Sequence, residues 1–284
     1  MTARTVLTIA GLTLREASRR KVLRSIGVLT IALLVLSAWG FSRLAAEGEF
    51  GSLTSGESRL VASQLLNLVM FGMSLITALG TAFLAGPTVS GEIESGIALS
   101  VLARPVRRWS VLLGKWLGLV AFGSGFVAVA GLAQCLVVQL TVGYWPPQPV
   151  VALLFLAGQT VVLLTLALLL SSALSPMASG VVAVGLFGAT WIAGVVGGIG
   201  QALGNEGVER VGVISRIVLP TDGLWRGAMH ALQDPVALAQ FGFEMDGFPF
   251  LSEASLSPAY LGWVLVWVAM VWGLTALMFA RRDV

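Results

Sequence analysis

VVALLFLAGQTVVLLTLALLLSSAL, Val150 to Leu174, carries no charged residue. A helix needs roughly 20 mostly apolar residues to cross about 30 Å of hydrocarbon, and this run is long enough. A membrane-spanning strand would be shorter and would alternate apolar with polar side chains. Val161-Val162-Leu163-Leu164 does not alternate, so the stretch reads as a spanning helix. Five more stretches qualify on the same ground: Ser25 to Leu44, Val61 to Ala85, Leu112 to Val142, Met177 to Leu203 and Ala259 to Ala280. The chain of 284 residues is 57% hydrophobic and 11% charged, where a soluble domain has about 25% charged residues. A water-soluble globule is excluded. The expected fold is an all-α polytopic membrane protein of six spans, a single transmembrane domain over 1–284.

The charges orient it. With the N-terminus in the cytoplasm, Arg4, Arg15, Arg19, Arg20, Lys21, Arg24, Arg104, Arg107, Arg108, Lys115, Arg281 and Arg282 fall inside, against Arg43, Arg59, Arg210, Arg216 and Arg226 outside. Lys/Arg enrichment on the cytoplasmic side is the orientation signal a sequence carries. Both termini are therefore expected in the cytoplasm of a multi-pass cell (inner) membrane protein. The pI of about 9.6 reflects that topology, and no nucleic acid partner is expected. A cleaved signal peptide is the competing reading of the N-terminus, with Ala45-Ala46 as small residues for cleavage. The long basic stretch and Trp39 favour an uncleaved first helix.

Within residues 1–24, Val6, Leu7, Ala10, Leu14 and Ala17 share one arc at 3.6 residues per turn, opposite Arg4, Arg15 and Arg19. That pattern suits a helix in the membrane interface; a solvated basic helix is the alternative. The fifth span holds Gly194, Gly198, Gly200 and Gly204, two GxxxG spacings that let helix backbones approach closely. Packing within one chain and packing across a dimer satisfy them equally. The long loop 205–258 contains an amphipathic stripe, Leu224, Trp225, Ala228, Met229 and Leu232, with Thr221 or Asp222 as candidate cap. Val208, Val211, Ser215 and Val218 form a weaker one. Both read as short external helices on the outer mouth, with Leu224, Trp225 and Met229 as a candidate external gate and Trp225 keeping its indole N–H at the wet rim.

Between the second and third spans lies a polar island: Gly91-Glu92-Ile93-Glu94-Ser95-Gly96, then Leu102-Ala103-Arg104-Pro105-Val106-Arg107-Arg108-Trp109, then Leu113-Gly114-Lys115. Gly86-Pro87 ends the span before it, and Ser110 is a candidate cap for the helix after it. The island resembles the first cytoplasmic loop of permease subunits of ABC type-2 transporters. There an acid-x-acid-x-Gly run leads into Arg-Pro-x-x-Arg and a Gly-Lys. The resemblance covers nearly the whole chain and is closest to the subgroup without a large soluble insert. It implies that 86–111 is a cytoplasmic coupling loop, with Glu92, Glu94, Gly96, Arg104, Arg107 and Arg108 contacting a separate ATPase that holds the ATP and Mg. It implies a second permease copy, a homodimer or a pair with a similar chain, with the first and fifth spans at the contact. It also favours the interfacial helix. Orientation alone is the plainer role for the arginines.

Chemistry is sparse. Gly114-Lys115 is no phosphate loop, because Trp109 stands at the first glycine position and Trp116 at the hydroxyl position. There is no HExxH, one histidine (His230) and one cysteine (Cys135), so no metal site, cofactor or catalytic group is expected in this chain. The spans hold amides and hydroxyls (Gln64, Asn67, Gln134, Gln139, Gln159, Thr77, Thr160) but almost no ionisable group. Ion-driven carriers bury such groups near mid-membrane, so their absence argues for a transporter driven from outside the membrane. The expected function is the permease of an ATP-driven exporter. The alternative is a six-span receptor or assembly factor docking a non-ATPase cytosolic partner.

Overall fold

The computed structural model describes residues 2–46, 55–88, 90–91, 108–234, 236, 250–252 and 255–281. Among them every regular element is helical: α1 (Thr2–Arg19), α2 (Lys21–Ala46), α3 (Ser55–Ala85) with a 3-10 turn (Gly86–Thr88), α4 (Arg108–Val142), α5 (Pro149–Ser171), α6 (Pro176–Ala202), α7 (Glu206–Val218), α8 (Thr221–Leu232) and α9 (Pro258–Arg281). Six of these, α2 to α6 and α9, are long and apolar enough to cross a membrane. The chain has an all-α polytopic membrane fold. An even number of crossings puts the N-terminus, the 86–88 turn, the start of α4, the 172–175 turn and the end of α9 at one end of the bundle. The 143–148 connection lies at the other.

Boundaries move for local reasons. α5 ends at Ser171 rather than Leu174: Ser172 N–H bonds Leu169 O at 3.0 Å and Leu174 N–H bonds Leu170 O at 2.8 Å, and Pro176 then opens α6 at a position where its missing N–H costs nothing. α4 begins at Arg108, before the expected Leu112. Ser110 is consequently no cap; it is buried inside the first turn of that helix.

α1 lies along the first part of α4. The reason is glycine: a Cβ at Gly114 would stand 2.7 Å from Ile9 Cβ, and one at Gly118 would stand 2.7 Å from Ala10 O. The contact buries Val6, Thr13 and Ala17, while Leu7, Leu12 and Leu14 stay exposed. The apolar arc read from the sequence is thus split, one part against α4 and the other outward, as suits a helix flanked by lipid.

Two buried clusters hold the bundle. One joins α3, α4, α5, α6 and α9 around Leu84, Leu112, Leu163, Leu164, Phe187 and Trp267. The other joins α3, α4, α5 and α8 around Leu66, Met70, Leu156, Trp225, Met229 and Leu232. The polar residues of the spans serve as links between helices: Ser74 donates to Gln159 Oε1 at 2.7 Å and Gln134 Nε2 to Ser37 Oγ at 2.6 Å. Cys135 is a buried free thiol, packed as a small apolar residue.

Candidate functional site

After α6 the chain turns back on itself. Gly204 takes φ +65°, a conformation glycine adopts without penalty. Asn205 then caps α7, its side chain accepting from Gly207 N and Val208 N. α7 descends along α6 with backbone nearly touching backbone: a Cβ at Gly200 would lie 2.6 Å from Glu209 N, and one at Gly197 would lie 2.6 Å from Gly212 Cα. The chain reverses at Leu219-Pro220, and α8 climbs back along α5 until Gln148 N–H bonds Ala231 O at 3.2 Å and Tyr144 Oη donates to Leu232 O at 2.7 Å. Burial, with the Asp234 carboxylate second, pushes the Tyr144 phenol well above its ordinary range, so it remains a donor.

The hairpin reaches deep. At its tip, Thr221 bonds Thr190 Oγ1 at 3.1 Å, and its carbonyl accepts from Gln159 Nε2 at 3.2 Å. Gln159 lies about 15 Å along α5 from its start and Thr190 about 18 Å from the end of α6, at 1.5 Å per residue. Both are near the middle of their spans. α7 and α8 are therefore not caps lying over the outer mouth; they form a re-entrant hairpin in which α8 is buried in the bundle and α7 packs on α6 with its other face exposed.

A helix that ends in a membrane leaves carbonyls that water cannot reach. α9 supplies the donors. Tyr260 Oη donates to Arg216 O at 3.1 Å, Trp263 Nε1 to Ile217 O at 3.1 Å and Trp267 Nε1 to Val218 O at 2.8 Å. The spacing 260, 263, 267 puts all three on one face of α9, a signal present in the sequence that the sequence reading passed over.

The tip also carries charge. Asp222, with a side chain 2% exposed, accepts from Arg216 Nε at 3.1 Å and Arg226 Nε at 3.2 Å, both at Oδ2. Arg226 Nη2 also donates to Gly194 O at 2.7 Å. Asp222 sits in the first turn of α8 and Arg216 in the last turn of α7, each on the side its helix dipole favours. The expectation that the membrane interior lacks ionisable groups is overturned. The hairpin imports them from a loop that hydropathy places outside.

The residues expected to gate the exit are instead core. Leu224, Trp225 and Met229 are each buried to 2% exposure or less. Trp225 packs against Phe71 with ring centroids 5.5 Å apart, and its indole N–H meets no hydrogen-bond partner among the described residues, so it is not at a wet rim. Thr221 and Asp222 lie inside α8; Pro220 holds the cap position without a side-chain bond. In the weaker stripe, Val211 and Val218 are exposed, because α7 meets α6 through Gly212.

The glycines are also spent differently from the dimer contact expected of them. Gly200 faces Val208 and Glu209, and Gly194 faces the Asp222 carboxylate, so the close approach is made within one chain. Gly204 is a turn residue. Gly198 stands beside Arg226, where a Cβ would be 3.5 Å from Nη2. Gly197, outside the two spacings, approaches the α7 backbone as closely as Gly200 does, a Cβ at either standing 2.6 Å from it.

Of the coupling residues, Glu92, Glu94, Gly96, Arg104 and Arg107 lie outside the described residues. Both flanks of the segment are described. Ser171 Oγ donates to Gly86 O, Ser90 N–H to Ser171 Oγ at 3.1 Å, and Lys115 Nζ to Thr88 O at 3.1 Å. On the far flank, Arg108 Nη1 donates to Ala280 O at 3.3 Å. Among the described residues no group of three or more His, Cys, Asp or Glu side chains is arranged to hold a metal ion.

No family model matches the chain. It is 33% identical over 136 residues to a "Probable ABC transporter permease protein NosY" of Pseudomonas aeruginosa, covering 45% of this chain and 46% of that protein. It is 32% identical over 149 residues to a protein of the same description from Stutzerimonas stutzeri, covering 49% of this chain and 50% of that protein. The chain thus spans about half the length of the curated relatives it matches. Six apolar spans support a multi-pass membrane protein, and about half of the chain is similar to proteins described as probable ABC transporter permeases.

Proposed function

We propose that the chain is the permease subunit of an ATP-driven ABC exporter in the inner (cytoplasmic) membrane, with both termini in the cytoplasm. The observation that carries this reading is the attachment of segment 86–111 on a bundle whose relatives are ABC permeases. One flank is tied to α4 and α5 through Lys115 and Ser171, the other to the end of α9 through Arg108. A push on the segment therefore reaches three spans at once. In this reading Glu92, Glu94, Gly96, Arg104, Arg107 and Arg108 meet a cytoplasmic ATPase subunit, which holds ATP and Mg and performs the hydrolysis. This chain acts without catalysis.

The partner set includes a second copy of the permease, as a homodimer. With the glycine face of α6 covered from within, the surface offered to that copy is the exposed apolar face of α2 and α7: Val28, Ile31, Val35 and Trp39, with Val211, Ile214 and Val218.

Two experiments test the reading. A Glu92→Lys, Glu94→Lys double variant should assemble and fold yet hydrolyse ATP without transport, since removing one partner of a buried interfacial charge pair costs about 2–5 kcal/mol; normal transport by the double variant refutes the coupling role. In intact cells, an impermeant thiol reagent should label Glu206→Cys and spare Ser100→Cys, and the reverse pattern overturns the orientation. Co-purification of a cytosolic protein without ATPase activity would favour the receptor or assembly-factor alternative.

A further inference from the structure

The Arg216–Asp222–Arg226 cluster holds two guanidiniums and one carboxylate. Among the described residues its neighbours add no compensating charge. α6 presents Gly194, Gly197, Gly198 and Thr190; α5 presents Gln159; α9 presents Tyr260, Trp263 and Trp267. The next acid along the hairpin, Glu209, lies two turns from Arg216, about 10 Å away. Among the described residues one positive charge is left over near mid-membrane.

That surplus is not sealed in. Asp222 is enclosed, but the arginine side chains are 28% and 21% exposed. The Arg226 edge lies beside half-buried Gly198, where a Cβ would be 3.5 Å from its Nη2, while Arg216 Nη2 lies beside Gly212 at the buried α6–α7 contact. Holding Asp222 uses the Nε of each arginine, and Gly194 O takes one Nη2 bond of Arg226; the remaining guanidinium N–H groups can serve a further partner, and a guanidinium fork suits carboxylates and oxyanions. A partly exposed, uncompensated cation at this depth is costly against lipid tails and tolerable against water or an anion.

We propose that Arg216 and Arg226 line a water-filled part of the translocation path and attract an anion, either a small oxyanion or the anionic group of the transported solute. Asp222 fixes the two forks and lowers their joint charge to a single positive one, so the anion is attracted without being trapped. The permease reading supplies the word path. The charge and the water are tested independently of it.

The test uses Gly198→Cys in a Cys135→Ala background, purified in lipid nanodiscs without nucleotide. Two thiol reagents of similar size are compared, anionic sulfonatoethyl and cationic trimethylammonioethyl methanethiosulfonate, each rate normalised to a small thiol in solution. One surplus positive charge at about 6 Å in water should favour the anionic reagent about tenfold. Arg226→Gln, which leaves the neutral Arg216–Asp222 pair, should bring the ratio near one, and Arg226→Lys should restore it. If Arg226→Gln fails to fold, Arg216→Gln reads the same ratio. No reaction with either reagent means the face is packed or in lipid and overturns the proposal. So does a ratio near one, or a ratio that ignores both glutamine variants. ATP-driven transport does not enter these readings, so the proposal and the exporter assignment fail separately.

Discussion

Where α7 and α8 enter the bundle, backbone lies on backbone: Gly197 against Gly212, Gly200 against Glu209, with indoles closing the carbonyls of residues 217 and 218. At the opposite end, residues 86–91 make one close backbone approach, at Gly86 against Pro176 O, and are otherwise held through the Ser171 hydroxyl and Lys115. Glycine contacts and buried aromatics have no second arrangement of similar energy, since packed interiors respond to a single methylene. A hydroxyl bond is worth about 1 kcal/mol and an ammonium bond about 1.5–3 kcal/mol, and both re-form after small shifts. The first region is suited to stay put, the second to pass on a displacement. Substitutions at the two ends should therefore separate stability from coupling.

The largest loss is expected at Trp225. Truncation to Ala at a buried aromatic costs about 3–5 kcal/mol, so Trp225→Ala should lower the Tm of the purified protein far more than any change at the 86–91 end. An unchanged melting curve would return α8 to the surface and break the contrast. Gly197→Ala forces a methyl against the Gly212 backbone and should cost about 1–3 kcal/mol. Gly188→Ala, on the same helix with open space around its Cβ position, should be neutral or stabilising by up to about 1 kcal/mol. Equal effects at 188 and 197 would mean that α7 is not seated on α6.

Trp267→Phe keeps one aromatic ring in the core, removes the donor to Val218 O and leaves a small void. A loss of about 1 kcal/mol is expected, together with faster amide exchange in the last turn of α7; unaltered exchange would show that the indole does not close that helix end. The smallest stability effect should come from Ser171→Ala, below about 1 kcal/mol. Its effect should appear instead as a changed ratio of ATP hydrolysed to solute moved in the reconstituted transporter. A large fall in Tm with unchanged coupling would invert the comparison.

Much of the site was written in the sequence in a form that hydropathy does not read. Gly204-Asn205 is a helix stop followed by a helix cap, and Tyr260, Trp263 and Trp267 form a donor face. Both were passed over because segments of 12 and 13 residues are too short to span and so were placed outside. The stripe of Leu224, Trp225 and Met229 was recognised, yet amphipathicity says only that a face is buried, not how deep. The glycine spacing of the fifth span announced a close helix contact correctly in kind. A spacing does not name its partner, and the partner turned out to be α7 of the same chain.

By itself the sequence determined the six spans and the helical class, because the cost of an unpaired backbone group in hydrocarbon admits no other form for long unbroken apolar runs. The glycine breaks and caps likewise follow from local conformational preference. Only the tertiary structure decided that a loop with six acids and arginines from Glu206 to Arg226 folds back to mid-membrane. Transfer scales weigh each residue against lipid or water. They have no term for Asp222 held between two arginines, or for carbonyls that meet indole donors from a helix more than 40 residues away, and those pairings are what make the hairpin tolerable at that depth.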